Sequence, residues 1–160
     1  MGGQPEHTAR LASVDDAPEV ARLLHEFNTE FATPSPGVEV LRTRLASLLE
    51  GKATLGVIAG SPALGVVLVT LRPNVWYAGP VALLDELYVV PSRRGQGIGS
   101  VIVDHLVAEM RARGVELLEV NVDEGDTDAR RFYERHGFST IDPDSGERAL
   151  YYSQEIRPGR

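Results

Sequence analysis

The stretch LDELYVVPSRRGQGIGS, residues 84–100, decides the fold of this chain. An apolar run rich in β-branched residues stops at Pro91, passes two arginines and three alternating glycines, and continues into a segment of helical periodicity. This order predicts a strand, a glycine-rich turn and a helix. Glycines let backbone N–H groups come close to a ligand, and the start of a helix carries the positive end of its dipole. The stretch therefore predicts a phosphate-binding turn.

The spacing of the glycines argues against two familiar nucleotide sites. In a dinucleotide pattern G-x-G-x-x-G that begins at Gly95, the third glycine would fall on Ser100. The chain also lacks the pattern G-x-x-x-x-G-K-[ST], whose lysine contacts phosphates. N–H groups beside Arg93 and Arg94 remain, and they suit a pyrophosphate held without a metal. A turn built for packing alone is the alternative interpretation.

Periodicity along the rest of the chain predicts one α/β domain with a mixed sheet. Seven runs have the composition of strands: 7–12, 53–59, 63–71, 81–90, 116–122, 138–141 and 149–154. Four segments carry an apolar face at helical spacing: 20–31, 41–49, 97–113 and 127–135. The strand, helix and strand between 81 and 122 make a βαβ unit, so those two strands should be parallel.

Composition restricts the classes of function. The chain has no cysteine, which excludes disulfides, thiolate metal sites and a cysteine nucleophile. Its four histidines stand at no metal-ligand spacing, so we expect no metal. A formal net charge of −7 argues against binding nucleic acid or anionic lipid, and it is compatible with a cationic substrate.

Length and hydropathy patterning suggest a cytoplasmic protein of one domain. No apolar run reaches the roughly 18 residues of a membrane span, and the first residues lack the apolar centre of a signal peptide. We expect a disordered N-terminus at 1–6, one domain over 7–156 and a flexible C-terminus at 157–160.

Two motifs resemble those of the GNAT superfamily of N-acetyltransferases. RGQGIG, residues 94–99, resembles its acyl-CoA signature Q/R-x-x-G-x-G/A, and DTDARRFYERHGF, residues 126–138, is similar to its N-x-x-A-x-x-F-Y-E-x-x-G-F block. The order of elements also agrees, so the resemblance covers roughly 7–154. It implies a GNAT-like mixed, mostly antiparallel sheet of about six to seven strands, flanked by about four helices, around a central acyl-CoA-binding βαβ unit.

The resemblance also implies how acetyl-CoA is bound. The strands 81–90 and 116–122 would splay apart, and the backbone of Leu87, Tyr88 and Val89 would meet the pantetheine arm. The pyrophosphate would be held by main-chain amides of Arg94, Gly95, Gln96, Gly97, Ile98 and Gly99. Asp126 stands where the family commonly has asparagine. Because an ionised aspartate only accepts hydrogen bonds, Asp126 is either a helix N-cap or a contact for the substrate amine.

By the same resemblance, Tyr133 corresponds to the proton donor for the leaving thiolate; a core aromatic beside Phe132 is the alternative. The base is harder to assign. Asp85 and Glu86 are adjacent on a predicted strand, so they should point to opposite faces, and at most one should line a given site. Asp85 would share a face with Leu87 and therefore ranks first, with Glu86 second. A solvated carboxylate is the alternative for each.

The sequence thus predicts an N-acetyltransferase that moves acetyl from acetyl-CoA to a primary amine by direct attack in a ternary complex, since no cysteine can carry an acyl-enzyme. The acceptor would be either a small amine, for which a cationic compound is one option, or an amine of a protein. A homodimer is left open. Other hypotheses are an acyl-CoA sensor without catalysis, a GNAT-like interaction domain and a nucleotide-binding regulator.

Overall fold

A five-stranded sheet organises the first of two units into which the chain divides after Val120. The computed structural model describes residues 8–157, so the predicted N-terminal tail at 1–6 and, apart from residue 157, the predicted C-terminal tail at 157–160 lie outside the described residues. The strands are β1 (Ala9–Leu11), β2 (Thr54–Ala59), β3 (Gly65–Arg72), β4 (Val81–Val89) and β5 (Leu118–Val120). The helices are α1 (Ala17–Glu30), α2 (Val38–Glu50), α3 (Ile98–Ala112) and α4 (Thr127–Arg135).

The sheet is mixed and mostly antiparallel, as predicted. Strands β1 to β4 pair antiparallel with their neighbours in chain order, and β4 pairs parallel with β5. The parallel pairing joins Ala82–Leu84 to Leu118–Val120 and goes no further. Within residues 8–157, the second half of β4 therefore has β3 as its paired neighbour and no partner in β5. The splaying of the two strands, which the GNAT resemblance implies, stays a prediction.

Helices cover both faces of the sheet in the first unit. On one face, Val66, Leu68 and Tyr88 form a core with α1 and α2. The intervening residues of β3 point to the other face, because side chains alternate along a strand. A Cβ placed on Gly65 would lie 2.8 Å from Ile102 Cδ1, so α3 packs on that second face. The turn between β4 and α3 is thereby held at one end of the sheet.

Local signals explain where α1 begins. Asp16 accepts a hydrogen bond from the backbone N–H of Ser13 at 2.7 Å, as part of a capping box on the single 3-10 turn Val14–Asp16 that leads directly into α1. Pro18 follows in the first turn, where a missing N–H costs nothing. The face of α1 that enters the core carries Val20 and Leu23, both fully buried. The periodicity in the sequence therefore located this helix correctly.

The two strands predicted at 138–141 and 149–154 are wrong. In the second unit, the described residues show one isolated bridge between Ile141 and Arg148, with a turn in which Gly146 N–H donates to the Asp142 carbonyl at 2.8 Å. All residues from 139 to 157 are exposed, including Leu150 and Tyr152. A strand needs continuous pairing and a buried face to offset its ordering, and this segment has a single bridge and no buried residue.

Gly79 marks a close approach between the loop after β3 and the end of α3. A Cβ at this position would lie 2.3 Å from the carbonyl oxygen of Gly114, a backbone atom that cannot rotate away. We expect Gly79→Ala to lower the free energy of unfolding by about 1–3 kcal/mol, as overpacking does elsewhere, measured by urea denaturation. Gly51→Ala is the matched control, because its Cβ would make an ordinary 3.4 Å contact with Leu48 O. Equal loss in both variants would contradict the prediction.

Candidate functional site

The glycine-rich turn opens its backbone to solvent. Gly95 and Gly97 have φ of 75° and 84°, a left-handed conformation that glycine adopts without strain. A Cβ at either position would meet no atom within 4 Å, so the space above the backbone is open. Helix α3 begins at Ile98, and its first N–H groups have no acceptor within the helix. The predicted phosphate-binding turn therefore has the conformation that its glycines suggested.

Arg94 is the first residue of this turn, and its side chain makes hydrogen bonds to Glu30 and to the backbone of Val89. Its guanidinium contacts Glu30 at the end of α1 through Nη1–Oε2 and Nη2–Oε1 distances of 2.7 and 2.8 Å. Its Nε donates to the carbonyl of Val89 at 2.9 Å. Glu30 was not among the residues that the sequence singled out. It stands 64 positions from Arg94, and no local pattern marks such a pair.

A β-bulge changes where the two carboxylates of β4 point. Leu68 pairs with Glu86 while the next residue, Val69, pairs with Leu84, so Asp85 is an extra residue without a partner on β3. Glu86 therefore shares the face of Leu68. The Thr70 hydroxyl, on that same face of β3, donates a hydrogen bond to Asp85 Oδ2. The expectation that Asp85 and Glu86 point to opposite faces is wrong, and so is the face-sharing of Asp85 with Leu87.

The charge of Asp85 and the burial of Glu86 both change the proton affinity of Glu86. Partial burial raises the pKa of Glu86, and the negative charge of Asp85 raises it further. The pair thus places on β4 one carboxyl, that of Glu86, whose protonated form is favoured relative to that of a free glutamate.

Tyr88 joins the open half of β4 to α1. Its hydroxyl donates to Glu30 Oε1 at 3.2 Å, and its ring meets Phe27 edge-on with a centroid distance of 5.0 Å. Burial, with the hydrogen bond to Glu30, raises the pKa of Tyr88 to about 12. Its side chain is thus part of the core, while Leu87 and Val89 are half-buried on either side.

A shallow depression of about 450 Å³ lies beside this junction, in the first unit. Residues of α1 and of the end of β4 line it: His25, Glu26, Thr29, Glu30, Tyr88 and Pro91. The sequence did not identify the α1 residues as functional, because their spacing is simply that of a helix surface.

The second unit holds the other two predicted site residues. Asp126 is the N-cap of α4, and its Oδ1 accepts from Ala129 N–H at 3.1 Å, which confirms the capping role. Tyr133 is 9% exposed and packs edge-on against Phe132 and Phe138, with centroid distances of 5.3 and 5.4 Å. Packing thus holds the Tyr133 ring in one orientation.

Two features are absent from residues 8–157: a cluster of metal ligands and a helix that could span a membrane. No three histidine, aspartate or glutamate side chains come together there as ligands for a metal ion. Over the same residues, each helix is too short or too polar to cross a bilayer.

Residues 19–138 match the model of the acetyltransferase (GNAT) family. The chain belongs to this family. A solved structure from Arthrobacter sp. FB24, described as an acetyltransferase, is 47% identical in sequence. The two structures superpose with a TM-score of 0.89, and the match covers 98% of this chain and 100% of that one. The GNAT resemblance and fold class are thus confirmed, with five strands in the described residues in place of six to seven.

Two curated relatives are N-acetyltransferases of small molecules by name. The aminoalkylphosphonate N-acetyltransferase of Salmonella typhimurium is 34% identical over 74 residues, which are 46% of this chain and 48% of that protein. The aminoglycoside N(6')-acetyltransferase type 1 of Klebsiella aerogenes is 37% identical over 81 residues, 46% of this chain and 52% of that protein. The chain spans about a quarter to half of the length of the curated relatives that it matches.

Proposed function

We propose that this chain transfers the acetyl group of acetyl-CoA to a primary amine. One observation supports the proposal most strongly. The second half of β4, which does not pair with β5, is followed directly by the glycine-rich turn, whose backbone is open. An extended amide-bearing arm can pair with this half of β4, and a pyrophosphate suits the turn. Family membership makes acetyl-CoA the donor that combines both groups.

The donor's binding groups are main-chain atoms in this proposal. Within Leu87, Tyr88 and Val89, the strand N–H and C=O groups that point away from β3 are offered to the pantetheine amides. The amides from Arg94 through Gln96 and from Gly97 to Gly99 surround the pyrophosphate, with the start of α3 adding its dipole. A bound donor supplies an activated thioester. The protein has to bind this donor, accept a proton from the amine and donate a proton to the leaving sulfur.

The first proton leaves the attacking amine. A cationic amine must lose a proton before its nitrogen has a lone pair that can bond to the thioester carbonyl carbon, and a carboxylate with a raised pKa is suited to receive that proton near neutral pH. The proton that the nitrogen loses afterwards, as the amide forms, replaces the one given to the leaving sulfur. Glu86 fits this role better than Asp85, because burial and the neighbouring charge raise its pKa. Asp85 supplies the neighbouring charge, and its Oδ2 accepts a hydrogen bond from the Thr70 hydroxyl. The order in which the sequence ranked the two is reversed here, since that ranking rested on strand parity.

The second proton goes to sulfur. When the carbon–sulfur bond breaks, the electron pair stays on the thiolate, and we propose that the Tyr133 hydroxyl protonates it. The GNAT resemblance of residues 126–138 supports this role, and the packed ring gives the hydroxyl a fixed direction. Asp126 serves as helix cap, with the substrate amine as its second proposed contact.

The proposed acceptor is a small, cationic amine, with a protein amine as the second choice. The net charge of −7 and the carboxylates of β4 support a cation. The names of the two curated relatives support small molecules that carry amino groups. Cytoplasmic location and a homodimer stay predictions.

A screen of amines for thiol release from acetyl-CoA tests the proposal. We expect release with at least one class among aminoglycosides, aminoalkyl compounds, polyamines and peptides, and none without an amine. Acetyl-CoA binding by calorimetry runs in parallel, with ATP and NAD as competitors. Tight acetyl-CoA binding without thiol release from any amine would favour a non-catalytic acyl-CoA sensor. Preference for ATP or NAD would contradict the proposal.

A further inference from the structure

A single ion pair connects the end of α1 to the start of the glycine turn. The planar fork of Arg94 faces the carboxylate of Glu30, with nitrogen–oxygen distances of 2.7 and 2.8 Å. Two parallel hydrogen bonds fix both direction and distance, which a single contact does not. The two residues are 64 positions apart, so the pair ties together segments that the chain does not connect locally.

The rest of the Arg94 head is fixed as well. Its Nε donates to Val89 O at 2.9 Å, and its central carbon lies 5.4 Å from the centroid of the Tyr88 ring. The Tyr88 hydroxyl in turn donates to Glu30. The hydrogen bond from Arg94 is the main cause that lowers the pKa of Glu30. Glu30 is therefore the centre of a small network that faces both the strand and the turn.

The network acts at the place where the turn is least constrained. Gly95 follows Arg94 directly, and Gly97 lies two residues further along the chain. The backbone of a glycine can adopt many conformations unless neighbouring contacts fix it. The start of α3 fixes the far end of the turn, through the hydrogen bond from Val101 N to Gly97 O at 3.0 Å. Arg94 fixes the near end. Holding both ends reduces the conformational entropy that the turn must lose when a pyrophosphate binds.

We propose that Glu30 is a positioning residue for the donor: it holds Arg94 so that the amides of the turn are already arranged for the pyrophosphate. The inference rests on the proposed function, in which this turn binds acetyl-CoA. It excludes the more obvious role of Arg94 as a mobile phosphate ligand. In that rival role, Glu30 would compete with the phosphate for the guanidinium.

The two roles predict opposite effects of one substitution. Glu30→Gln keeps the size of the side chain and removes its charge. If Glu30 positions the turn, the Kd for CoA rises by about fivefold, in the range expected for a partly exposed ion pair. If Glu30 competes with phosphate, the same substitution frees Arg94 and the Kd falls. Calorimetric titration with CoA alone measures this without knowledge of the acceptor.

Three further variants complete the experiment. Arg94→Lys keeps a positive charge but not the fork, so we expect the same rise in Kd as for Glu30→Gln. The double variant should be no weaker than either single one, because both remove the same network. Glu39→Gln is the matched control; it breaks an exposed pair with Arg42 on α2 and should leave the Kd unchanged. Thermal unfolding of each variant confirms that the comparison is between folded proteins.

The outcomes separate this inference from the proposed function. If the wild-type protein binds no CoA, both are overturned. If the wild type binds CoA and Glu30→Gln binds it equally well or more tightly, the positioning role alone is wrong. Wild-type affinity in Arg94→Lys would likewise overturn it, because charge without the fork would then suffice.

Discussion

Tyr133→Phe is expected to lower kcat by about 100-fold while CoA affinity stays within about twofold of the wild type. The substitution removes the hydroxyl proposed to protonate the leaving sulfur, and general acids contribute about two to four orders of magnitude to a rate. The ring is retained, so its edge-on packing against Phe132 and Phe138 should persist. Steady-state kinetics with the amine identified by the screen and calorimetry with CoA give the two values.

The control for this variant lies in the same unit. Tyr151 is 69% exposed, so Tyr151→Phe should change neither kcat nor Kd. A kcat for Tyr133→Phe that matches the control would remove Tyr133 from the mechanism and leave it as a packing residue. A joint fall in kcat and in the unfolding temperature would indicate a structural role as well.

The elements that the sequence predicted correctly are those with strong local signals. The run of residues 84–100 combines β-branched residues, a proline, glycines and helical spacing, and each of these acts within a few residues along the chain. The turn and α3 follow from them. Asp126 was recognised as an N-cap for the same reason, since a cap is defined by the N–H groups that directly follow it.

The features that the sequence did not reveal depend on other parts of the chain. The bulge at Asp85 is a property of how β4 pairs with β3, and the alternation of residues in β4 alone gives no sign of it. The contact of Arg94 with Glu30 likewise requires α1 to lie beside the turn. The last two predicted strands are wrong because composition alone does not make a strand. Residues 149–154 have strand-like composition, but pairing and burial decide whether a strand forms.

The bulge gives the second large prediction, which concerns Glu86. Glu86→Gln is expected to lower kcat/KM by about 100-fold, because the amide cannot accept the proton of the attacking amine. In the wild type, kcat/KM should fall on the acidic side as Glu86 becomes protonated. Since the pKa of Glu86 is raised, that fall should lie above the ordinary range of a glutamate. The variant should lose this acidic limb.

Asp85→Asn tests the same pair from the other side. Removing the charge of Asp85 removes one of the two causes that raise the pKa of Glu86, so the acidic limb should move to lower pH. Asparagine keeps the size of the side chain beside Thr70, and the catalytic loss should be smaller than for Glu86→Gln. If Asp85→Asn instead removes the limb and Glu86→Gln leaves it in place, Asp85 is the base.

Stability should respond in the opposite direction to activity. A carboxyl whose folded pKa is raised favours the folded state while protonated, so its contribution is present below the unfolded pKa and lost as pH rises through the folded pKa. At neutral pH, ionised Glu86 therefore slightly destabilises the folded state. Glu86→Gln should consequently unfold at a higher urea concentration than the wild type at pH 7, with the difference vanishing in acid. Lower activity together with higher stability is expected where a carboxylate is retained for chemistry, and a variant that loses both would place Glu86 among the structural residues of β4.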